Sequence, residues 1–164
     1  MERSTINFRV ITDKDEAFLK QVYASTREDE FRHSLWSEAE KRDFFDTQYK
    51  FQKQSYQMNY LSAVHRIIQL GDIDIGRLIV NRSDFDLRII DLSVLPKYRG
   101  HGIGSDILRS LIHEAHGGKV PARLMVEKNS PALTLYVRLG FVKTGETASR
   151  YEMECPVNLR AAEI

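Results

Sequence analysis

Three glycines stand at alternate positions in Val94-Leu95-Pro96-Lys97-Tyr98-Arg99-Gly100-His101-Gly102-Ile103-Gly104. Without Cβ atoms at that spacing, a ligand can approach the backbone closely. The run before them, Leu87 to Leu95, reads as a strand stopped by Pro96. Behind them Ile103, Ile107, Leu108, Leu111, Ile112 and Ala115 recur at helical spacing. A turn from strand into helix presents the first unpaired amides and the positive end of the helix dipole to whatever sits in front. That combination suits a phosphate. A Walker A loop needs Gly-Lys-Ser/Thr, but Ser105 and Asp106 follow Gly104. A dinucleotide fingerprint needs G-x-G-x-x-G, and the spacing here is G-x-G-x-G. A turn that only joins strand to helix is the structural alternative.

A second constellation follows one helix and one strand later: Asn129-Ser130-Pro131-Ala132-Leu133-Thr134-Leu135-Tyr136-Val137-Arg138-Leu139-Gly140-Phe141. Alone, Tyr136 would be a core aromatic and Asn129 a helix cap. Together the segments resemble the GNAT (GCN5-related N-acetyltransferase) superfamily: Arg99-x-x-Gly102-x-Gly104 matches its R/Q-x-x-G-x-G/A signature, and the second run matches N-x-x-A-x-x-x-Y-x-x-x-G-F. The resemblance is good over about Ile90 to Cys155; before Leu61 it rests on element order. It implies acetyl-CoA as cosubstrate, with the pyrophosphate held by Arg99, Gly100, His101, Gly102, Ile103 and Gly104. It also implies that the backbone of Leu92 and Val94 pairs with the pantetheine arm, that Asn129 contacts the cofactor, and that Tyr136 lies near the sulfur.

Acyl transfer from a thioester needs a neutral nucleophile, a polarised carbonyl and an acid for the leaving group. The Val94 amide can polarise the carbonyl. A phenol, with an ordinary pKa of about 10, can protonate the departing thiolate, which gives Tyr136 its role. A lysine-like amine, with a pKa of about 10.4, must first lose a proton. Asp91 is the first candidate for that base and Glu127 the second, with water the alternative to either. For each acid the bland reading is a structural carboxylate. Cys155 has no neighbouring His or Lys in sequence and reads as an inert strand residue. His113 and His116 lack H-E-x-x-H spacing and read as solvated helix residues, so no metal is expected.

The elements that must position these residues follow from periodicity. Ile6 to Ile11 alternates as a strand, and Thr12 or Asp13 caps a helix bearing Phe18, Leu19, Val22 and Tyr23. A polar loop is expected from Arg27 to Ser34. Ser37-Glu38-Ala39-Glu40 has capping-box form and opens a helix with Phe44, Phe45, Tyr49 and Phe51. Strands are expected at Ala63 to Leu70, Ile73 to Val80, Leu87 to Leu95, Ala122 to Glu127, Phe141 to Gly145 and Arg150 to Cys155. Gly117-Gly118 should end the glycine-loop helix, and Ser130-Pro131 should open a short one. The fold class is mixed α/β: one domain over 1–164, with a central mixed, largely antiparallel twisted sheet flanked by helices.

The chain has 164 residues, 42% of them apolar, and a net charge of +1 from 24 basic and 23 acidic side chains. That near balance gives no footprint for nucleic acid. One cysteine excludes a disulfide framework, no apolar run reaches membrane-spanning length, and the N-terminus lacks a signal-peptide core. A cytoplasmic enzyme is the resulting expectation. Its partner is an amine acceptor, a small molecule or a protein amine. A non-catalytic acyl-CoA sensor of the same fold is the alternative. The acceptor, its acyl-chain preference and the oligomeric state, a homodimer included, are left open. Three carboxylates, Glu28, Asp29 and Glu30, beside Phe31 and Trp36 suggest a cation-attracting acceptor entrance, with a solvated loop and Trp36 packed as a helix staple as the alternative.

Overall fold

The computed structural model describes residues 5–31 and 34–157. Seven strands and four α-helices follow along these residues: β1 Ile6–Val10, α1 Glu16–Phe31, α2 Glu38–Asn59, β2 Val64–Leu70, β3 Ile73–Arg82, β4 Leu87–Val94, α3 Ile103–Gly117, β5 Ala122–Glu127, α4 Leu133–Arg138, β6 Val142–Glu146 and β7 Arg150–Cys155. The strands form one sheet in the order β1-β2-β3-β4-β5-β7-β6. β1 and β2 are antiparallel, as are β5 with β7 and β6 with β7, whereas β4 and β5 are parallel. The sheet is therefore mixed, as its sequence suggests. Contacts divide the chain into two compact units, one running up to Ile79 and adding Asp91–Arg99, the other made of Val80–Ile90 and the chain from Gly100.

In the first unit Leu19, Tyr23, Tyr49 and Ile67 form a buried cluster, with Ile11, Phe18 and Phe45 packed against it. Thr12 caps a single 3-10 turn, Asp13–Asp15, which leads into α1. Asp15 closes the reciprocal box and also receives two hydrogen bonds from Arg9, both at 2.8 Å. α1 does not stop at Arg27 as its polar composition suggests but continues to Phe31. The reason is tertiary. The Phe31 ring lies 5.3 Å from Trp36, 5.2 Å from Phe44 and 5.4 Å from Phe45, and this aromatic cluster joins the end of α1 to the start of α2. Ser37 Oγ accepts from the Glu40 amide at 3.1 Å and fixes where α2 begins.

In the second unit α3 packs on β5. Its buried face carries Ile107, Leu108, Leu111 and Ala115, and the residues buried in this unit's strands include Ala122, Leu124, Val126, Met153 and Cys155. Gly117 and Gly118 do end α3, but the left-handed residue that reverses the chain is Lys119, at φ 60°. The short helix begins at Leu133 rather than at Pro131. Ser130 accepts from the Ala132 amide through Oγ and from the Leu133 amide through its carbonyl, each at 3.2 Å, so Pro131 lies inside a preceding turn.

Candidate functional site: a glycine turn ahead of α3

β3 and the end of β4 approach unusually closely. A Cβ on Gly76 would lie 2.2 Å from the Ser93 carbonyl oxygen, so only glycine fits there. The Leu95 amide donates to the Ile75 carbonyl at 2.8 Å and holds the strand end in place. Leu92 and Val94 are half-buried in β4. Pro96 then ends the ladder and opens a 3-10 turn, Pro96–Tyr98. Arg99 folds back from this turn, its Nε donating to the Val94 carbonyl at 2.7 Å.

Gly100 and Gly102 hold φ of 79° and 82°, in the left-handed region where a side chain is strained. Gly102 is also the N-cap of α3, and no side chain caps that helix. The first intrahelical bond runs from the Asp106 amide to the Gly102 carbonyl at 3.0 Å. A Cβ placed on Gly100, Gly102 or Gly104 would meet no protein atom within 4 Å. These glycines are therefore not demanded by packing. Two are demanded by backbone conformation, and Gly104 by neither, since it lies inside the helix. His101 is exposed and Ile103 half-buried.

Asn129 lies exposed in the turn after β5. Tyr136 is half-buried on α4, its ring edge-on to Phe141 at 5.8 Å, and its carbonyl accepts from the Phe141 amide at 3.0 Å. Phe141 is fully buried, so it anchors the ring. Gly140 holds φ 105°, a backbone conformation that side chains rarely adopt, while a Cβ there would be in near-ordinary contact with Cys155 Sγ at 3.4 Å. The Cys155 thiol is itself buried, and desolvation pushes its pKa up, away from nucleophilic use.

Asp91 is not an isolated acid. Its Oδ2 accepts from Arg77 and its Oδ1 from Ser93 Oγ at 2.6 Å. Arg77 in turn donates to Gln52 Oε1 at 2.6 Å. Sequence reasoning passed over Arg77, though a lone arginine within the apolar run Ile73-Asp74-Ile75-Gly76-Arg77-Leu78-Ile79-Val80 was the available signal: a buried charge demands a partner. Glu127 is half-buried at the end of β5.

Beside the strand end, Gln21, Ser25 and Glu28 of α1 face Asp74 and Leu95 through Tyr98 across a cavity of about 330 Å³. Glu28, one of the three expected carboxylates, thus lines a cavity at the start of the glycine turn. The side chains of Asp29 and Glu30 lie outside the described residues. Trp36 is taken up in the aromatic cluster with Phe31. Among the described residues no group of three or more His, Cys, Asp or Glu could hold a metal ion, and no helix is long and apolar enough to cross a membrane.

The model of the acetyltransferase (GNAT) domain matches residues 62–143, half of the chain. The chain belongs to the GNAT acetyltransferase family. Over 61 residues it is 38% identical to N-alpha-acetyltransferase RimI of Mycobacterium tuberculosis, a match that spans 37% of this chain and 38% of that protein. The GNAT fold extends over nearly the whole chain. PaiA N-acetyltransferase from Thermoplasma acidophilum, solved with coenzyme A, superposes with a TM-score of 0.68 at 19% identity, covering 93% of this chain and 99% of its own. An acetyltransferase from Thermus thermophilus superposes with a TM-score of 0.67 at 17% identity, covering 96% of this chain and 100% of its own.

Proposed function

We propose that this protein transfers the acetyl group of acetyl-CoA to a primary amine by direct attack in a ternary complex. The observation that carries the reading is the turn ahead of α3: an uncapped helix N-terminus behind two left-handed glycines, whose Cβ directions are open, in a chain of GNAT family membership. Its amides suit the cofactor pyrophosphate, with Arg99, Gly100, His101, Gly102, Ile103 and Gly104 as the contact residues. Leu92 and Val94 serve the pantetheine arm through their backbone, and Asn129 contacts the cofactor. Holding both substrates in one site supplies proximity.

The amine nitrogen attacks the thioester carbonyl carbon, and the developing oxyanion is met by the Val94 amide. When the tetrahedral intermediate collapses, the C–S bond breaks, sulfur takes the electron pair, and Tyr136 gives that sulfur its phenolic proton. The proton lost by the amine goes toward Asp91. Both carboxylate oxygens of Asp91 already accept hydrogen bonds, which favours a path through water over direct contact. The acceptor is a protein or small-molecule amine, and Glu28 on the cavity wall is the carboxylate that favours a cation there, since Asp74 is already paired with Arg9. The reading takes the enzyme to act in the cytoplasm, without a metal.

The test couples binding to turnover. Acetyl-CoA or CoA should raise Tm by mass action, and ATP and NAD far less. An amine panel of lysine peptides, free N-terminal peptides, polyamines and small amines should then release CoA thiol with at least one acceptor. Stabilisation by ATP equal to that by CoA would overturn the cofactor assignment. Tight CoA binding with no turnover on any acceptor would instead indicate an acyl-CoA sensor.

A further inference from the structure

β1 lies at one edge of the sheet, and two bonds at its ends fix which way its backbone groups point. The Thr5 carbonyl accepts from the Gly71 amide at 2.9 Å, and the Ile11 amide donates to the His65 carbonyl at 3.2 Å. In an antiparallel pair, opposite residues alternate between exchanging both backbone bonds and exchanging none. Thr5, Asn7, Arg9 and Ile11 therefore turn their N–H and C=O groups toward β2. Ile6, Phe8 and Val10, which lie opposite Leu70, Ile68 and Arg66, turn theirs to the open edge. Among the described residues no hydrogen bond reaches those outward groups. The side chains of the same three residues share one face of the strand, where Phe8 is 40% and Val10 62% exposed.

Such an edge is a template for another strand unless a proline, a lysine, a bulge or a cover guards it. The opposite edge is guarded: β6 carries Lys143, and its pairing with β7 shifts register between Lys143 and Gly145. β1 carries neither lysine nor proline and pairs with β2 without a register shift. Its one charge, Arg9, is spent on Asp15 and Asp74. The strand is also self-complementary. A two-fold axis at Phe8 sets Phe8 opposite the second copy's Phe8, and Ile6 opposite the second copy's Val10 in both directions. Each of these pairs exchanges two N–H···O bonds, so every outward group of both strands is used. Arg9 meets the second copy's Asn7, and no like charges face each other. A shift of two residues leaves Ile6 or Val10 unpaired on each strand, and a shift of one sets inward-pointing groups against outward ones. A two-fold contact closes on itself, which gives a dimer rather than a fibre.

We propose that β1 is a homodimerisation edge, to which a second copy of this chain adds antiparallel about a two-fold axis at Phe8. The interface does not depend on acetyl transfer, and its test reads association alone. A strand pair of this length is small beside the roughly 1,200–2,000 Å² of stable complexes, so dimerisation should depend on concentration. Sedimentation velocity on the full chain should move from monomer toward dimer between micromolar and millimolar protein. Val10→Pro removes an N–H that faces the open edge and no bond to β2. It should weaken association by about tenfold or more, with Tm near the parent value. Phe8→Lys, which sets two ammonium groups against each other on the axis, should do the same if Val10→Pro does not fold. Cross-linking reads the register. Opposed residues in this pairing have Cα atoms about 5.5 Å apart, within disulfide reach, whereas the two copies of Ile6 lie roughly 13 Å apart along the strands. Ile6→Cys mixed with Val10→Cys should therefore oxidise to the mixed disulfide dimer, identified by intact mass, and neither variant should cross-link alone. The native Cys155 is buried and takes no part. A monomer throughout the concentration range, association unchanged in a folded Val10→Pro or Phe8→Lys variant, or self-cross-linking equal to the mixed product would each overturn the interface.

Discussion

Tyr136 is placed by packing and proposed for chemistry, and one atom separates the two roles. Tyr136→Phe keeps the ring against Phe141, so Tm and CoA affinity should hold near the parent values. If the phenol protonates the thiolate, kcat should fall by about 10²-fold, the scale of general acid catalysis, and the loss should shrink with a thioester of lower thiol pKa. Unchanged kcat with chemistry rate-limiting removes the residue from the mechanism. Asp91 needs a different design, because it is the counterion of a buried arginine. Asp91→Asn alone leaves Arg77 uncompensated, which costs about 3–5 kcal/mol in buried pairs. The double variant Asp91→Asn with Arg77→Met removes both charges and should recover most of that stability. If Asp91 receives the amine proton, the double variant stays about 10²-fold down in kcat/KM. Recovery of activity together with stability would make Asp91 purely structural.

At the scale of elements, the glycine turn separates conformational from ligand demands. Gly102→Val would force a β-branched residue to φ 82° and so confound strain with cofactor binding. Gly104 is the cleaner position. It lies inside α3, and a Cβ there meets nothing in the protein. Gly104→Val should leave the Tm of the free protein unchanged or slightly higher, since glycine is the weaker helix former by a few tenths of a kcal/mol. It should also raise KM for acetyl-CoA several-fold, read from initial rates at saturating acceptor. A parental KM in that folded variant would mean that the loop is only a connector.

At the scale of the molecule, the first unit carries an acid-labile tie between strand, turn and sheet: Arg9 on β1 holds Asp15 at the entry to α1 and Asp74 on β3. The Arg9 hydrogen bonds lower the Asp15 pKa from 3.8 to about 2. Between those values the unfolded chain binds the proton that the folded one refuses, so this stabilisation is complete above about pH 4 and is lost as pH falls toward about 2. The urea midpoint should drop over that interval, and Arg9→Met should flatten part of the drop while lowering stability at neutral pH. An identical acid slope in Arg9→Met would remove the tie from acid unfolding. What the sequence by itself determined were features written in local spacing. The Ser37 cap of α2, the one-sided apolar face of α3 and the glycine turn each depend on residues within a few positions of one another, whereas the alternation of β1 does not set its burial, since Phe8 and Val10 stay exposed. Only the tertiary structure decided the rest. α1 runs past Arg27 because Phe31 meets Trp36, Phe44 and Phe45 of the following segment. Gly76 is glycine because the Ser93 carbonyl, seventeen positions on, leaves no room for a Cβ. Asp91 is paired because Arg77 points from the neighbouring strand, and Arg77 Nε is left over because that pairing uses other atoms of the guanidinium. Each of these rests on which side chains are brought together through space, which one-dimensional periodicity does not encode.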